Sequence, residues 1–242
     1  MKNLDHKVAV ITGGNSGIGY ATAKALKEES ASVIITGRRK EAIEKASAEL
    51  GVTGLIADQS KLSDIDQLVN DVALKFGKVD ILLINAGITK FDTIEQMKED
   101  MFDEIMNVNF KGAYFTLSKF IPILNEGASV ILLSSTSATI SPANASVYAA
   151  SKAAINAVVK IAALELAPRN IRVNAVSPGP IATEIMDKIG LNEQLEHQLI
   201  DSIPLSRLGK PSEVADLITF LSGSSSSFIT GSNFLVDGGQ SV

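Results

Sequence analysis

The strongest constraint on this chain is an alternation. Short apolar, β-branched runs (KVAVIT, SVIIT, VTGLIA, VDILLI, ASVILLSS, IRVNAV and NFLVD) recur along it, with helically patterned segments between them. Those segments start at about Gly17, run up to Leu50, over Leu62–Phe76, around Phe102–Leu124 and over Ser146–Leu166, and resume at Pro211. Strands that are apolar almost throughout are buried on both faces, the condition of a parallel sheet wrapped by helices. Repeated β-α-β units with right-handed crossovers predict an α/β fold: one doubly wound Rossmann-type domain with a parallel seven-stranded sheet and helices on both faces. The domain is expected to span residues 1–242, with a nucleotide-binding half at about 1–145 and a catalytic and substrate half at about 146–242 that carries a lid at about 180–210. No Pro- or Ser-rich linker and no internal repeat interrupts the pattern, and SGSSSS at Ser222–Ser227 reads as a loop before the last strand.

Composition removes several function classes. A 45% hydrophobic content suffices for a large core, and a net charge of −5 without basic clusters argues against nucleic acid as a partner. Absence of cysteine excludes disulfides and thiolate chemistry. The two histidines, His6 and His197, have no partner at metal-ligand spacing, so no metal site is expected, and no GxSxG elbow offers a hydrolase nucleophile. The apolar run in MKNLDHKVAVITGG is too short for a signal peptide or a membrane span, and no later run is read as reaching spanning length. A cytoplasmic protein without a membrane partner is the expectation.

VAVITGGNSGIGYATAKAL reads strand, turn, helix, the context a dinucleotide-binding turn requires. Gly13 permits the tight turn, Gly17 lets backbone approach a pyrophosphate, and Gly19 lets the helix pack close to the strand. Helix N–H groups and the positive end of the dipole then face the phosphates. Further along, SVYAASKAAINAVVKIAALEL places Tyr148 and Lys152 four apart, one above the other on a helix face. An ammonium beside a phenol of ordinary pKa ~10 can shift it toward neutrality. Ser135 lies upstream at the end of the fifth strand, where open α/β sheets bind ligands. Asn109 is a polar residue amid Phe102, Ile105, Val108 and Phe115, and needs a buried partner.

These motifs, in this order, resemble the short-chain dehydrogenase/reductase family. The resemblance covers TGxxxGxG, Asn85-Ala86-Gly87, Asn109, Ser135, Tyr148 and Lys152 as YxxxK, Pro178-Gly179, and Val236-Asp237-Gly238-Gly239. One departure is Ile84, where the family often has a second asparagine. The resemblance implies hydride transfer between NAD(P)H and a ketone, aldehyde or secondary alcohol. Ser135 polarises the carbonyl, Tyr148 is the general acid or base, Lys152 favours the tyrosinate and holds a ribose hydroxyl, and Asn109 positions Lys152 through a water and its own carbonyl. Lowering the phenol pKa by ~2–3 takes about 3–4 kcal/mol, which a close ammonium and a nicotinamide cation would supply. The alanines Ala149, Ala150, Ala153 and Ala154 would allow close approach.

On the cofactor side the resemblance assigns Gly13, Asn15, Ser16, Gly17, Ile18 and Gly19 to the phosphates, with Ile11 and Thr12 lining the groove. Asp58 is assigned to the adenine amino group, Asn85, Ala86 and Gly87 to the ribose, and Pro178, Gly179, Ile181 and Thr183 to the nicotinamide end. Gly37 stands where the family often has an acid, and Arg38 and Arg39 follow; guanidinium groups there favour NADP(H) over NAD(H), although Ser16 replaces a base common in NADP-preferring relatives. Ile185, Met186, Ile189, Leu195, Leu199 and Ile203 recur at near-helical spacing and are expected to form an apolar lid. The resemblance also implies a homotetramer through the Tyr148–Ala167 helix and the C-terminal segment. A 3-oxoacyl-[acyl-carrier-protein] reductase, and in another class a dinucleotide-binding redox sensor without turnover, are the alternatives; an adenosyl-cofactor methyltransferase would not need YxxxK.

Overall fold

The computed structural model describes residues 4–183 and 193–242, the side chains of 193–195 excepted. Seven parallel strands form one sheet in the order β3-β2-β1-β4-β5-β6-β7. They are β1 (Val8–Thr12), β2 (Ser32–Gly37), β3 (Thr53–Ile56), β4 (Val79–Ile84), β5 (Leu124–Leu133), β6 (Arg172–Pro178) and β7 (Asn233–Val236). The helices that matter for the argument are α1 (Gly17–Glu28), α2 (Lys40–Leu50), α3 (Leu62–Phe76), α4 (Glu99–Met106), α5 (Ala113–Phe120), α6 (Ser137–Ile140), α7 (Ser146–Leu166), α8 (Glu193–Asp201) and α9 (Pro211–Ser222).

The period-two alternation of each strand sends its side chains into two separate cores. Ala9 and Ile11 of β1, Ile81 and Leu83 of β4 and Ile131 of β5 pack with α1, α2 and α9. Their neighbours Val10, Leu82, Ile84, Val130 and Leu132 pack with α3, α5 and α7 on the other face. Ile84 is thus a core residue, which accounts for an apolar side chain at that position. The predicted doubly wound sheet with helices on both faces is what the chain forms.

Three local features differ from the sequence reading. The segment around Phe102–Leu124 is not one helix: α4 and α5 are joined by a π-helical turn, Asn107–Gly112. β5 starts at Leu124, earlier than its apolar run, and α6 follows it as an extra short helix. Ser146–Arg169 is, against expectation, long and apolar enough to cross a membrane by length and composition. Ile155, Val159, Ala162 and Leu166 of that helix lie in the core against Val173 and Ala175 of β6, which is why its hydropathy is high.

At the ends of β1 and β4, the Thr12 hydroxyl accepts hydrogen bonds from Asn85 N and Ala86 N, both at 3.0 Å. Thr12→Val keeps the shape and leaves two N–H groups without an acceptor. It is expected to lower stability by about 1–3 kcal/mol in urea unfolding, with the m-value unchanged.

Candidate active site

Strand order reverses between β1 and β4, so a crevice opens beyond their C-terminal ends. Two turns meet there. Asn85 Nδ2 donates to the carbonyls of Thr12 and Gly13, both at 2.9 Å, so this side chain holds the glycine turn. Ile11 does not line the groove; it is fully buried beneath α1, and Thr12 beside it is buried with its hydroxyl occupied. Ile18 is partly buried against the same core.

The glycine turn fits a pyrophosphate. Gly13 and Gly17 have φ of 65° and 54°, the left-handed region. A Cβ on Gly19 would lie 2.3 Å from Gly13 O and 2.6 Å from Asn85 Nδ2, so only glycine lets α1 start this close to the strand. Ser16 makes no side-chain cap and the first turn of α1 holds no acid. The leading N–H groups and the positive dipole end are therefore left for an anion. A Cβ on Gly17 would come within 3.2 Å of Thr183 Cγ2, which shows the segment after β6 folding over the turn. Behind it Gly179 N donates to Val236 O at 3.0 Å, Thr136 N donates to Pro178 O at 3.0 Å, and buried Ile181 pairs with Gly209.

At the far end of the groove Arg38 and Arg39 follow β2, exposed and without a side-chain partner among the described residues. A Cβ on Gly37 would sit 2.8 Å from Asn15 Oδ1, so Asn15 occupies the space where an acid would begin. Asp58 Oδ1 accepts Ser60 N at 3.0 Å and Ser60 Oγ at 2.7 Å, leaving Oδ2 without a partner among the described residues.

Two of the four predicted catalytic residues meet at Gly87, where a Cβ would lie 3.3 Å from Asn109 Oδ1 and 3.5 Å from Lys152 Nζ. Lys152 and Tyr148 are one turn apart on α7, with Nζ 5.9 Å from the ring centroid. Lys152 Nζ donates to Leu133 O at 2.9 Å, and Ser134 Oγ donates to Lys152 O at 3.1 Å, so the end of β5 clasps this helical turn. Ser135 lies two residues beyond β5, its Oγ accepting Ser137 N at 3.1 Å. The side chains of Ser135 and Thr89 face the Tyr148 hydroxyl and act on its ionisation. Phe91 packs edge-on against the phenol at 6.2 Å.

Sequence reasoning missed Thr89 and Phe91. A hydroxyl two residues past Gly87, in the loop leaving a crevice strand, was the available signal. The side-chain contacts of Asn109 were also not foreseen. Buried in the π-helical turn, its Oδ1 accepts Ile88 N and its Nδ2 donates to Ile88 O, both at 2.8 Å, with Ser151 Oγ at 3.4 Å. Its side chain holds the loop that carries Thr89. Of the expected lid, Ile185, Met186, Ile189 and the Leu195 side chain lie outside the described residues. Leu199 is half-buried, and Ile203 packs where a Cβ on Gly238 would come within 2.8 Å of its Cγ2, so Ile203 belongs to the C-terminal turn rather than to a lid.

Electrostatically the site departs from the sequence expectation. Burial is the largest influence on Tyr148 and holds its pKa above the ordinary value, with the hydrogen bonds of Ser135 and Thr89 opposing it. Burial also brings Lys152 down to about 8. Low dielectric surroundings disfavour tyrosinate and ammonium alike, and the ammonium does not overcome that for the phenol. The resting site is therefore a neutral phenol beside a lysine that titrates just above neutrality.

A linked stability change follows. In the unfolded chain lysine keeps its proton to ~10.4, so between about pH 8 and 10 the unfolded state binds more protons and wild type gains stability as pH rises. Relative to Lys152→Met, the gain is expected to reach about 2–3 kcal/mol over that window. Urea unfolding of both proteins from pH 7 to 10 measures it, and parallel curves would contradict a depressed lysine.

Comparison with known proteins agrees with this geometry. A family profile described as enoyl-(acyl carrier protein) reductase matches residues 13–241. Oxidoreductase asL5 of Sarocladium schorii is 40% identical over 99% of this chain and 97% of that protein. The 3-oxoacyl-[acyl-carrier-protein] reductase FabG of Thermotoga maritima is 38% identical over 98% of each. Among solved structures, the 3-ketoacyl-(acyl-carrier-protein) reductase from Brucella melitensis complexed with NADH superposes with a TM-score of 0.91 at 38% identity, covering 98% of this chain and 99% of that one. A blue fluorescent protein from a metagenomic library in complex with NADPH gives 0.93 at 28% identity, covering 99% and 100%. Matched over nearly its whole length, with a glycine turn built for a dinucleotide, the chain belongs to the short-chain dehydrogenase/reductase family, NAD(P)-dependent oxidoreductases acting on CH–OH and C=O groups.

Proposed function

We propose that this chain reduces a neutral ketone or aldehyde, or oxidises the corresponding secondary alcohol, as a cytoplasmic, single-domain carbonyl reductase with NADP(H) as its preferred dinucleotide. The observation that carries this is Tyr148 on α7 with Lys152 one turn away, its Nζ 5.9 Å from the ring centroid, and Ser135 facing the phenol at the end of β5. The bound dinucleotide supplies the hydride. Ser135 polarises the substrate oxygen, and Tyr148 delivers its phenolic proton to the developing alkoxide. A phenol that burial keeps protonated is the form reduction consumes. Lys152 in its ammonium form stabilises the tyrosinate left behind and holds a ribose hydroxyl. The glycine turn and the start of α1 would hold the pyrophosphate, Asp58, its carboxylate oriented by Ser60, would accept from adenine, and Thr183 would hold the nicotinamide carboxamide.

Exposed Arg38 and Arg39 beside Gly37, without a side-chain partner among the described residues, support the NADP(H) preference. A second substrate reading, a 3-oxoacyl group on acyl-carrier protein, is supported equally by the two 3-oxoacyl reductases among the relatives. Exposed Ile161 and Leu164 on α7, with Phe228 and Leu235 near the C-terminus, support a homotetramer. Light scattering is then expected to give four times the 25.5 kDa chain mass.

Initial rates with NADH and NADPH across aromatic ketones, 3-keto esters and a 3-oxoacyl thioester test the reading. Tyr148→Phe is expected to lower kcat by about 10²–10⁴-fold with dinucleotide affinity retained. Arg38→Ala is expected to raise the NADPH KM about tenfold, the loss of one charged hydrogen bond, and to leave NADH unaffected. Unchanged turnover in the tyrosine variant, or no oxidation of either coenzyme by any carbonyl, would end the proposal.

A further inference from the structure

Gln59 follows Asp58 and is buried, although nothing in its immediate sequence marks it. Its Nε2 donates to Ala86 O at 3.1 Å and to Val108 O at 3.0 Å. Both neighbours are carbonyls, so the amide orientation is fixed by chemistry, and both protons are used. Ala86 belongs to the turn after β4, and Val108 to the π-helical turn that carries Asn109. The contact is built on both sides. A Cβ on Gly112, which ends the π-helical turn, would fall 2.2 Å from Gln59 O, so glycine is what lets this backbone come in.

The side chain is a costly choice for filling space. Its Oε1 is buried without a hydrogen-bond partner among the described residues, and an unmatched buried acceptor carries a desolvation cost that an apolar side chain of the same size would avoid. What an apolar side chain cannot do is join two carbonyls. From those carbonyls the structure continues toward the reacting hydroxyl: Asn109 beside Val108 grips Ile88 at both N and O, and Thr89, next along, faces the Tyr148 phenol.

We propose that Gln59 is a positioning residue, cross-bracing the Asn85–Gly87 turn to the Asn107–Gly112 turn and so fixing where Thr89 and the Tyr148 hydroxyl meet the substrate. The proposal rests on the reading of Tyr148 as the acid, and Tyr148→Phe is the control that separates the two. Gln59→Met removes both donors at similar volume. Gln59→Glu keeps the shape and can donate to a carbonyl only when its carboxyl is protonated.

With the keto ester or thioester that wild type turns over, Gln59→Met is expected to lower kcat about tenfold to a hundredfold, the scale of a small misplacement at a reacting centre. Dinucleotide affinity, read by enhancement of NADPH fluorescence, stays within about threefold because the Thr12 and Asn85 bonds that hold the glycine turn remain in the variant. Gln59→Glu is expected to regain activity relative to Gln59→Met as pH falls from 7.5 to 5.5, a signature that loss of packing alone would not give. Wild-type kcat in both variants, or equal pH profiles for them, overturns the proposal. So does failure of both variants to melt cooperatively, since the side chain would then be part of the fold rather than a brace for the site. Wild-type turnover in Tyr148→Phe would instead overturn the reading on which the proposal rests.

Discussion

The site depends on one stitch, the hydrogen bonds that tie the end of β1 to the end of β4. One hydroxyl, Thr12 Oγ1, receives two backbone N–H groups, and one amide, Asn85 Nδ2, returns two bonds to the carbonyls of Thr12 and Gly13. A parallel sheet whose order reverses between two strands leaves their C-terminal ends splayed by the helices that depart to opposite faces. Four hydrogen bonds across that gap fix the glycine turn relative to Gly87. Because Asn109 and Lys152 both pack within reach of Gly87, fixing one turn fixes the phosphate cradle and the proton-transfer groups in a common frame.

The electrostatics follow from the same closeness. Clasping the α7 turn against the end of β5 removes Lys152 from water, and its ammonium is compensated by one carbonyl at 2.9 Å rather than by a carboxylate. A counter-ion would hold the lysine pKa up; a lone carbonyl in a dry site does not, so burial wins and the group titrates at about 8. The same dryness keeps the phenol protonated. In the proposed reaction the two shifts complement each other: an acid that retains its proton at rest stands beside a cation whose interaction strengthens only when the tyrosinate forms.

What the sequence disclosed and what it hid divide by distance along the chain. Tyr148 and Lys152 were legible because four residues on a helix make a fixed geometry, and the glycine turn because strand, turn and helix are contiguous. The alternation of the strands disclosed the sheet and both of its cores. Thr89, Gln59 and the side-chain partner of Asn109 were hidden because each is defined by contacts across the fold: Gln59 reaches carbonyls 27 and 49 residues away. The π-helical turn has no pattern of its own, since its residues would also suit an α-helix, and only the approach of Gln59 O to Gly112 shows what the extra residue accommodates. Ile203 misled for the converse reason: helical spacing identifies an apolar face but not which surface covers it.

This division bears on where substrate choice resides in the proposed enzyme. The proton-transfer groups are held by elements of the sheet, α7 and the π-helical turn, whose hydrogen bonds are largely to backbone and indifferent to what is bound. Two other segments approach the crevice from outside that frame. The loop after Thr89 meets the loop before α7 through Asp92 N donating to Asn144 O at 2.9 Å, and Ser141 and Asn144 there hold left-handed φ of 47° and 65°. Non-glycine residues in that conformation persist only where surrounding contacts over-determine them. With Ile94 and Pro142 they border a groove of about 580 Å³ against Ala149, Ala150 and Ala153, so these loops can change size and polarity without disturbing the stitch, the clasp or the brace. A frame so constructed carries the proposed chemistry on short-range backbone bonds, and relatives that share the frame need not share the loops around it.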